Sequence, residues 1–288
     1  MNGRNQLLSL ALIALTSSLG AWISPLASQT PTPNVKAQNG IQLTLQAKIN
    51  PTLGINKITP QAMEQAKLVL EKRIRGLGIS EAVVTIGDHN QLLVKLPRVN
   101  DPNLAKRVIA TTGQLDFRKQ KKGTESELRA KLQILQTAKL QREALKNSGD
   151  QKAISENETT YKKSIEDLKS IFESTGLTGN MLKDAVASPF DGSSEILQIV
   201  LTFDIQGGDL FAKVTGEIAG TGRALGIFLD DQLISFPSVG SEFQGKGITG
   251  GRAVITGNFT SDAANELALQ MRSGALPFPL EIIDSRDF

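Results

Sequence analysis

Ile248-Thr-Gly-Gly-Arg-Ala-Val-Ile-Thr-Gly-Asn-Phe-Thr-Ser-Asp-Ala-Ala-Asn-Glu-Leu-Ala-Leu-Gln-Met-Arg-Ser-Gly-Ala-Leu-Pro-Phe-Pro-Leu-Glu-Ile282 holds a strand, a capped helix and an extended exit in unbroken succession. Arg252 to Thr256 alternates as a short strand, and Gly257-Asn258 is predicted to turn the chain. Thr260 or Ser261 then caps a helix that carries Asp262 in its first turn and runs to about Ser273. Ala264, Leu267, Ala268 and Met271, spaced by three and four, give that helix one apolar face, and Gly274 stands where a left-handed C-terminal cap is needed. Pro277 and Pro279 forbid further helix, so the chain leaves extended. The stretch contains no nucleophile, base or metal cluster, and its reading is architectural.

The same alternation of strands and helices extends upstream. Ile196 to Phe203 reads as a strand, Gly208 to Ile218 as a helix, and Arg223 to Leu229 with Gln232 to Phe236 as a hairpin turning at Asp230-Asp231. Nearer the N-terminus, Ile41, Leu43, Leu45, Ala47 and Ile49 alternate as a half-buried strand. Thr59-Pro60 opens a helix with Met63, Ala66, Leu70, Ile74 and Leu77 on its buried stripe, ended by Gly76 or Gly78. A hairpin follows, Val83 to Ile86 and Leu92 to Leu96, then a helix from Asn100 or Asp101 and a closing strand, Gln114 to Arg118. The order β-α-β-β-α-β is that of a split βαβ unit.

Between the halves, Thr124 to Ser174 is rich in Lys, Glu, Gln, Ala and Leu. Leu128, Leu132, Leu135, Leu140 and Leu145 fall near helical spacing, Asn147-Ser-Gly-Asp150 is a polar break, and a second helix is expected from about Ser155 to Ser174. The fold class is therefore α+β: two ferredoxin-like (split βαβ) units forming a base, with an inserted helical arm. The expected division is a membrane anchor or signal segment over 1–27, a tether over 28–40, a first unit over 41–120, the helical hairpin over 121–178 and a second unit over 179–288.

The N-terminal division rests on Arg4 followed by an uncharged run from Leu7 to Ile23, with Leu7, Leu10, Leu12, Ile13, Leu15, Leu19, Trp22 and Ile23 as its membrane-facing residues. Such a run reaches about 25 Å as a helix, short of the roughly 30 Å hydrocarbon core and long for a signal-peptide core, so an uncleaved anchor and a cleaved signal both stand. Either carries the body across a membrane. Ser28 to Gln38, rich in Pro, Thr, Ser and Gln, cannot bury enough apolar surface to fold and reads as a tether.

Composition narrows the function classes. The 288 residues are 40% apolar, enough for a real core, and carry a formal charge of +3 with basic and acidic residues interleaved and only 5% aromatics. A nucleic-acid surface needs a clustered basic face or stacking platforms and is not indicated. With no cysteine and a single histidine, thiolate chemistry, disulfide scaffolds and ordinary zinc sites are ruled out, and no cofactor is called for. His89 lies in a hairpin turn, and turn chemistry accounts for Asp230-Asp231. Gly245-Lys-Gly-Ile-Thr-Gly-Gly-Arg252 lacks the spacing and trailing Lys-Ser/Thr of a phosphate loop, and a strand follows it; Gly250-Gly251 is better read as permitting positive φ or close backbone approach. No Ser/His/Asp or metal constellation marks an enzyme.

Thr59-Pro-Gln-Ala-Met-Glu-Gln-Ala66, Arg73-Ile-Arg-Gly-Leu-Gly-Ile-Ser-Glu-Ala-Val-Val84, Leu92-Leu-Val-Lys-Leu-Pro-Arg-Val-Asn-Asp-Pro102, Gly113-Gln-Leu-Asp-Phe-Arg118 and the opening stretch, taken in order, resemble the first extracytoplasmic region of the SecD protein-export family. The motif positions carrying structural weight are Arg73, Gly78, Gly113, Gly250, Gly251, Arg252, Gly257, Gly274 and Pro277. The resemblance implies an N-terminal transmembrane helix, a body on the extracytoplasmic side of a plasma (inner) or thylakoid membrane, and partnership with SecF, the SecYEG translocon and a preprotein chain. It implies use of a proton gradient, with the extracytoplasmic domain moving as it engages emerging polypeptide. Two departures shape the expectation. Where the family carries Gly-Leu-Asp-Leu-Arg-Gly-Gly before the first strand, this chain has Pro33-Asn-Val-Lys-Ala-Gln-Asn-Gly40, and no later hydrophobic run supplies the helix bundle of proton passage. The chain alone is thus expected to be unable to conduct protons. Leu135 and Leu140 on the arm are its candidate client contacts, and an envelope scaffold without export activity is the alternative.

Overall fold

The computed structural model describes residues 40–51, 54–190 and 193–288. The expected membrane segment and nearly all of the tether lie outside the described residues. Among those described, no helix is long and apolar enough to cross a membrane.

Alternation of apolar side chains makes β1 (Ile41–Ala47), whose odd-numbered residues are all buried. A proline at the first helical position and a Thr59 side chain accepting from the Ala62 amide start α1 (Pro60–Gly76), which buries Met63, Ala66, Leu70 and Ile74 as the stripe predicts. The hairpin is β2 (Val83–Ile86) and β3 (Gln91–Leu96), turned through His89 and Asn90 at φ 55 and 60. Asp101 caps α2 (Pro102–Ala110) by accepting from Asn103 and Leu104. These elements bury Leu43, Leu45, Leu92, Val94 and Leu96 of the strands against both helices in one core. Each such side chain withdrawn from water contributes about 1.5–3 kcal/mol.

The expected closing strand of this first unit goes elsewhere. Residues 115–120 form β4 (Leu115–Gln120), which pairs with β5 (Phe172–Thr178) and β8 (Leu225–Leu229), while the place beside β1 is taken by β11 (Leu280–Asp287). The first sheet is antiparallel in the order β11-β1-β3-β2. The cause is local to the two exits. Gly113, at φ +74, turns the chain away after α2, and the Asp230 carboxylate holds the amides of Gly113 and Gln114 next to β8. At the other exit the Lys48 amide donates to the Pro279 carbonyl at 2.9 Å and docks the incoming strand on the end of β1.

The expected second unit is likewise distributed. β6 (Leu182–Phe190), β7 (Ser193–Phe203) and β10 (Arg252–Phe259) form a three-stranded sheet in the order β10-β7-β6, and β9 (Gln232–Ser235) completes a four-stranded one, β5-β4-β8-β9. Both sheets share a core with α5 (Ile205–Ile218) and α6 (Ser261–Ser273), centred on Phe117, Phe203 and Phe211, whose rings stand 5.4 and 5.3 Å apart in succession. Thr260 caps α6, and Gly274 after it takes φ +87 with ψ 167, a glycine conformation but not the expected left-handed cap. Gly257-Asn258 does not turn the chain; β10 runs through both, and the pairing with β7 slips between Thr256 and Phe259. The irregularity takes up two extra residues, Gly257 and Asn258, without reversing the strand.

The arm is α3 (Glu127–Leu145) and α4 (Gln151–Ser170), packed together across the Asn147 to Asp150 break. The second helix starts before Ser155 because Asp150 accepts from the Ala153 amide as its cap, and it ends before Ser174 because Phe172 enters β5. At the base Leu128, Leu168 and Ile171 pack with Phe172 and Phe228, whose rings meet edge to face at 5.2 Å.

Candidate functional site

The topology makes two lobes within one compact unit: residues 41–110 with β11, and residues 115–273. The chain crosses between them twice, over 111–114 and 274–279, and the crossings lie side by side, the Leu276 amide donating to the Thr112 carbonyl at 2.8 Å.

Arg73, from the last turn of α1, reaches into this waist and is fully buried. Its Nη1 donates to the carbonyls of Val108, at 2.9 Å, and Thr111; its Nη2 donates to Thr112 at 2.9 Å on the first crossing and to Gly274 at 3.1 Å on the second. None of these partners is a carboxylate, and Nε has no partner among the described residues. Burial lowers the guanidinium pKa to about 10, against the opposing field of Asp230, so the group stays charged at neutral pH. Asp230 works from the other lobe: Oδ2 accepts from the Gly113 amide at 3.0 Å and Oδ1 from Gln114 at 2.8 Å. Gly113 must be glycine here, since a Cβ would stand 2.5 Å from Arg73 Nη2 at a positive φ.

Open clefts flank the waist. One, about 690 Å³, lies between Gln65, Leu68 and Lys72 of α1 and Asp116, Asn180 and Pro277. The other, about 400 Å³, lies between Leu77 and Arg107 of the first lobe and Val186, Glu266 and Arg272 of the second.

A second polar cluster ties the arm to the sheet. Arg118 pairs with Asp116 at 2.8 Å and Asp231 at 2.7 Å, with its guanidinium 4.5 Å from the centre of the Phe228 ring, and Lys169 of α4 pairs with Asp231 at 3.0 Å and Glu166 at 3.1 Å. Partial burial works against the Asp231 charge, but the hydrogen bonds and charges of Arg118 and Lys169 outweigh it and hold the carboxyl below its ordinary range. The turn reading of Asp230-Asp231 is sound, with φ of 50 and 63, but it misses both tasks. The available signal was the pair of acids in a turn of positive φ, where Asn-Gly is the easy choice.

The remaining sequence-derived positions separate by location. Leu140 is exposed, whereas Leu135 is half-buried against the cluster at the arm base; Ile134, passed over in the sequence, is exposed. Gly78 takes φ +80 just beyond α1, Arg252 opens β10 from an exposed position, and Gly257 packs under the Phe259 ring. Gly250 and Gly251 take φ +91 and +65, and the 245–251 loop lies on the small residues of α5, Gly251 against Gly208 and Gly247 against the Ala212 carbonyl. Three of its amides are held within the fold: Gly245 donates to Gly216, Gly247 to Phe243 and Ile248 to Thr215 Oγ1 at 2.9 Å. His89 is exposed, its carbonyl accepting from Gln46. Among the described residues no group of three or more His, Asp or Glu is placed to hold a metal ion.

Two family models match, the N-terminal P1 domain of the protein translocase subunit SecDF over residues 63–122 and the SecDF P1 head subdomain over residues 156–278. The second ends within the second crossing. The chain is 43% identical over 253 residues to the protein translocase subunit SecD of Synechocystis sp., covering 86% of this chain and 53% of that one. It is 34% identical over 278 residues to SecD of Prochlorococcus marinus, covering 86% and 56%. The chain thus spans about half the length of these curated relatives. In structure it resembles a solved chain of SecDF, described as a membrane component that enhances protein export, with a TM-score of 0.61 and 27% identity over 86% of this chain and 100% of that one.

Proposed function

The chain belongs to the SecD family, and from that premise we propose that its two-lobed body works as an extracytoplasmic domain in Sec-dependent preprotein translocation, contacting the emerging polypeptide or partner subunits. The observation that carries this is the likeness to translocase subunits along nearly the whole described body, in sequence and in fold. That continuity favours export over an envelope scaffold. The first lobe reads as a ferredoxin-like unit closed by a strand from far along the chain, with the helical arm carried by the second lobe. Gly40 and Phe288 exchange backbone hydrogen bonds of 3.1 and 2.9 Å, so a tether from an N-terminal anchor would enter at the first lobe and set it toward the membrane. A side chain at Gly40 would overlap the Phe288 ring, which accounts physically for the glycine kept there.

In this reading SecF, the SecYEG translocon and the preprotein are the partners, and the role is not enzymatic. Exposed Leu140 is the proposed client contact, with Ile134 exposed on the same helix; Leu135 serves the arm base. Two conformations that differ in affinity for the client would be needed to convert binding into directed movement. Depletion of the chain should slow maturation of a Sec-dependent preprotein in a pulse-chase experiment, with restoration by the wild-type gene. Unchanged maturation at verified depletion would sink the proposal.

A further inference from the structure

We infer that Arg73 is a positioning residue that pins the two lobes in one relative orientation, gripping both chain crossings at once. The inference rests on the export reading for its use, since a moving domain needs a defined resting state, but its geometry stands apart from that reading.

Four features of the waist converge on it. Among the described residues the guanidinium is the one side chain that donates to both crossings, holding Thr111 and Thr112 on one and Gly274 on the other. Asp230 completes the clamp from the opposite lobe, so the Gly113 peptide is held from both sides, its amide by the carboxylate and its preceding carbonyls by the guanidinium. Both crossings carry a glycine at positive φ, Gly113 and Gly274, where the backbone can rotate at least steric expense once the grip is lost. Away from the waist the lobes meet where α6 packs on α1, Leu269 lying against Gly76, with an Arg107–Glu266 pair at 3.3 Å whose arginine is 57% exposed, and clefts open on either side.

The charge has no carboxylate partner and is compensated by carbonyl dipoles, so an apolar replacement would leave those carbonyls without their donor. What methionine cannot do is donate to carbonyls at the end of α2 and on both crossings from one planar fan, which is what a guanidinium does. Asp230 alone binds only one crossing and cannot fix the other.

The absence of cysteine makes the test direct. Leu68→Cys and Asn180→Cys face each other across the larger cleft from exposed positions, and spin labels there report the separation of the lobes by pulsed electron paramagnetic resonance on the purified full chain. With Arg73 intact the expected result is one narrow distance population. With R73M, a second, displaced population is expected while circular dichroism shows both lobes folded, and D230N is expected to broaden the distribution less. Should R73M fail to fold, R73K keeps the charge and the fold but loses the planar fan, and it must broaden the distribution. A folded R73M, or in its place a folded R73K, with the wild-type distribution overturns the inference. Failure of the export reading would show in preprotein maturation and leave these distances as they are.

Discussion

Replacing Asp231 by asparagine should loosen the helical arm without disturbing the first lobe. The carboxylate takes 2.7 Å and 3.0 Å bonds from Arg118 and Lys169, whose side chains are only 17% and 21% exposed, while its own is 38% exposed. Exposed pairs contribute about 0.2–1 kcal/mol and hydrogen bonds to buried charges about 1.5–3 kcal/mol. Arg118 keeps Asp116 and Lys169 keeps Glu166 after the change, so the loss falls between those limits, at about 1–2 kcal/mol. The pH dependence has a fixed sign. Asp231 titrates lower in the folded protein than in the unfolded chain, so its stabilisation is fully present above the unfolded value near pH 4 and is lost as pH falls through the folded one. D231N should remove that part of the acid limb. Urea unfolding gives the size of the effect, and amide hydrogen exchange gives its place: α4 amides should lose protection while those of β1 and β3 keep theirs. A loss spread evenly over both lobes, or a double-mutant cycle with K169M showing no coupling, would refute the latch.

Three further outcomes follow from the packing. G247A should cost more than about 3 kcal/mol, because a Cβ there overlaps the Ala212 carbonyl at φ +69, whereas G245A, at φ +75 with open space around it, should cost only about 1–2 kcal/mol; paired thermal melts separate the two. F117A should cost about 3–5 kcal/mol by emptying the shared core next to Phe203, measured by urea unfolding. A photocrosslinker at Leu140 should capture a stalled preprotein, and one at buried Leu128 should not; equal capture at both would remove the arm from the client path.

Local signals were readable over most of the described residues. Thr59, Asp101 and Thr260 cap where their chemistry allows, and the alternation gives the burial observed from Ile41 to Ala47, although Ile49, expected to continue it, lies beyond β1 and is exposed. Partner choice was not readable. β4 and β11 each follow an amphipathic helix and a glycine, and nothing within either segment says which will lie beside β1. That choice is made by Asp230, more than a hundred residues beyond Gly113, and by the docking of Pro279 on Lys48. Arg73 shows the same limit from the side of the site. In the sequence it is a motif position of structural weight at a helix end, favourable to the dipole, with nothing to say what it holds; its value as a clamp exists only after Thr112 and Gly274 have been brought together.

The central claim is most directly tested by tagging the full-length chain in its native membrane, crosslinking during active export and identifying what co-purifies. The account predicts recovery of SecF, SecY or a stalled preprotein; isolation free of all three, at verified expression and with a translocon control captured in parallel, would contradict it.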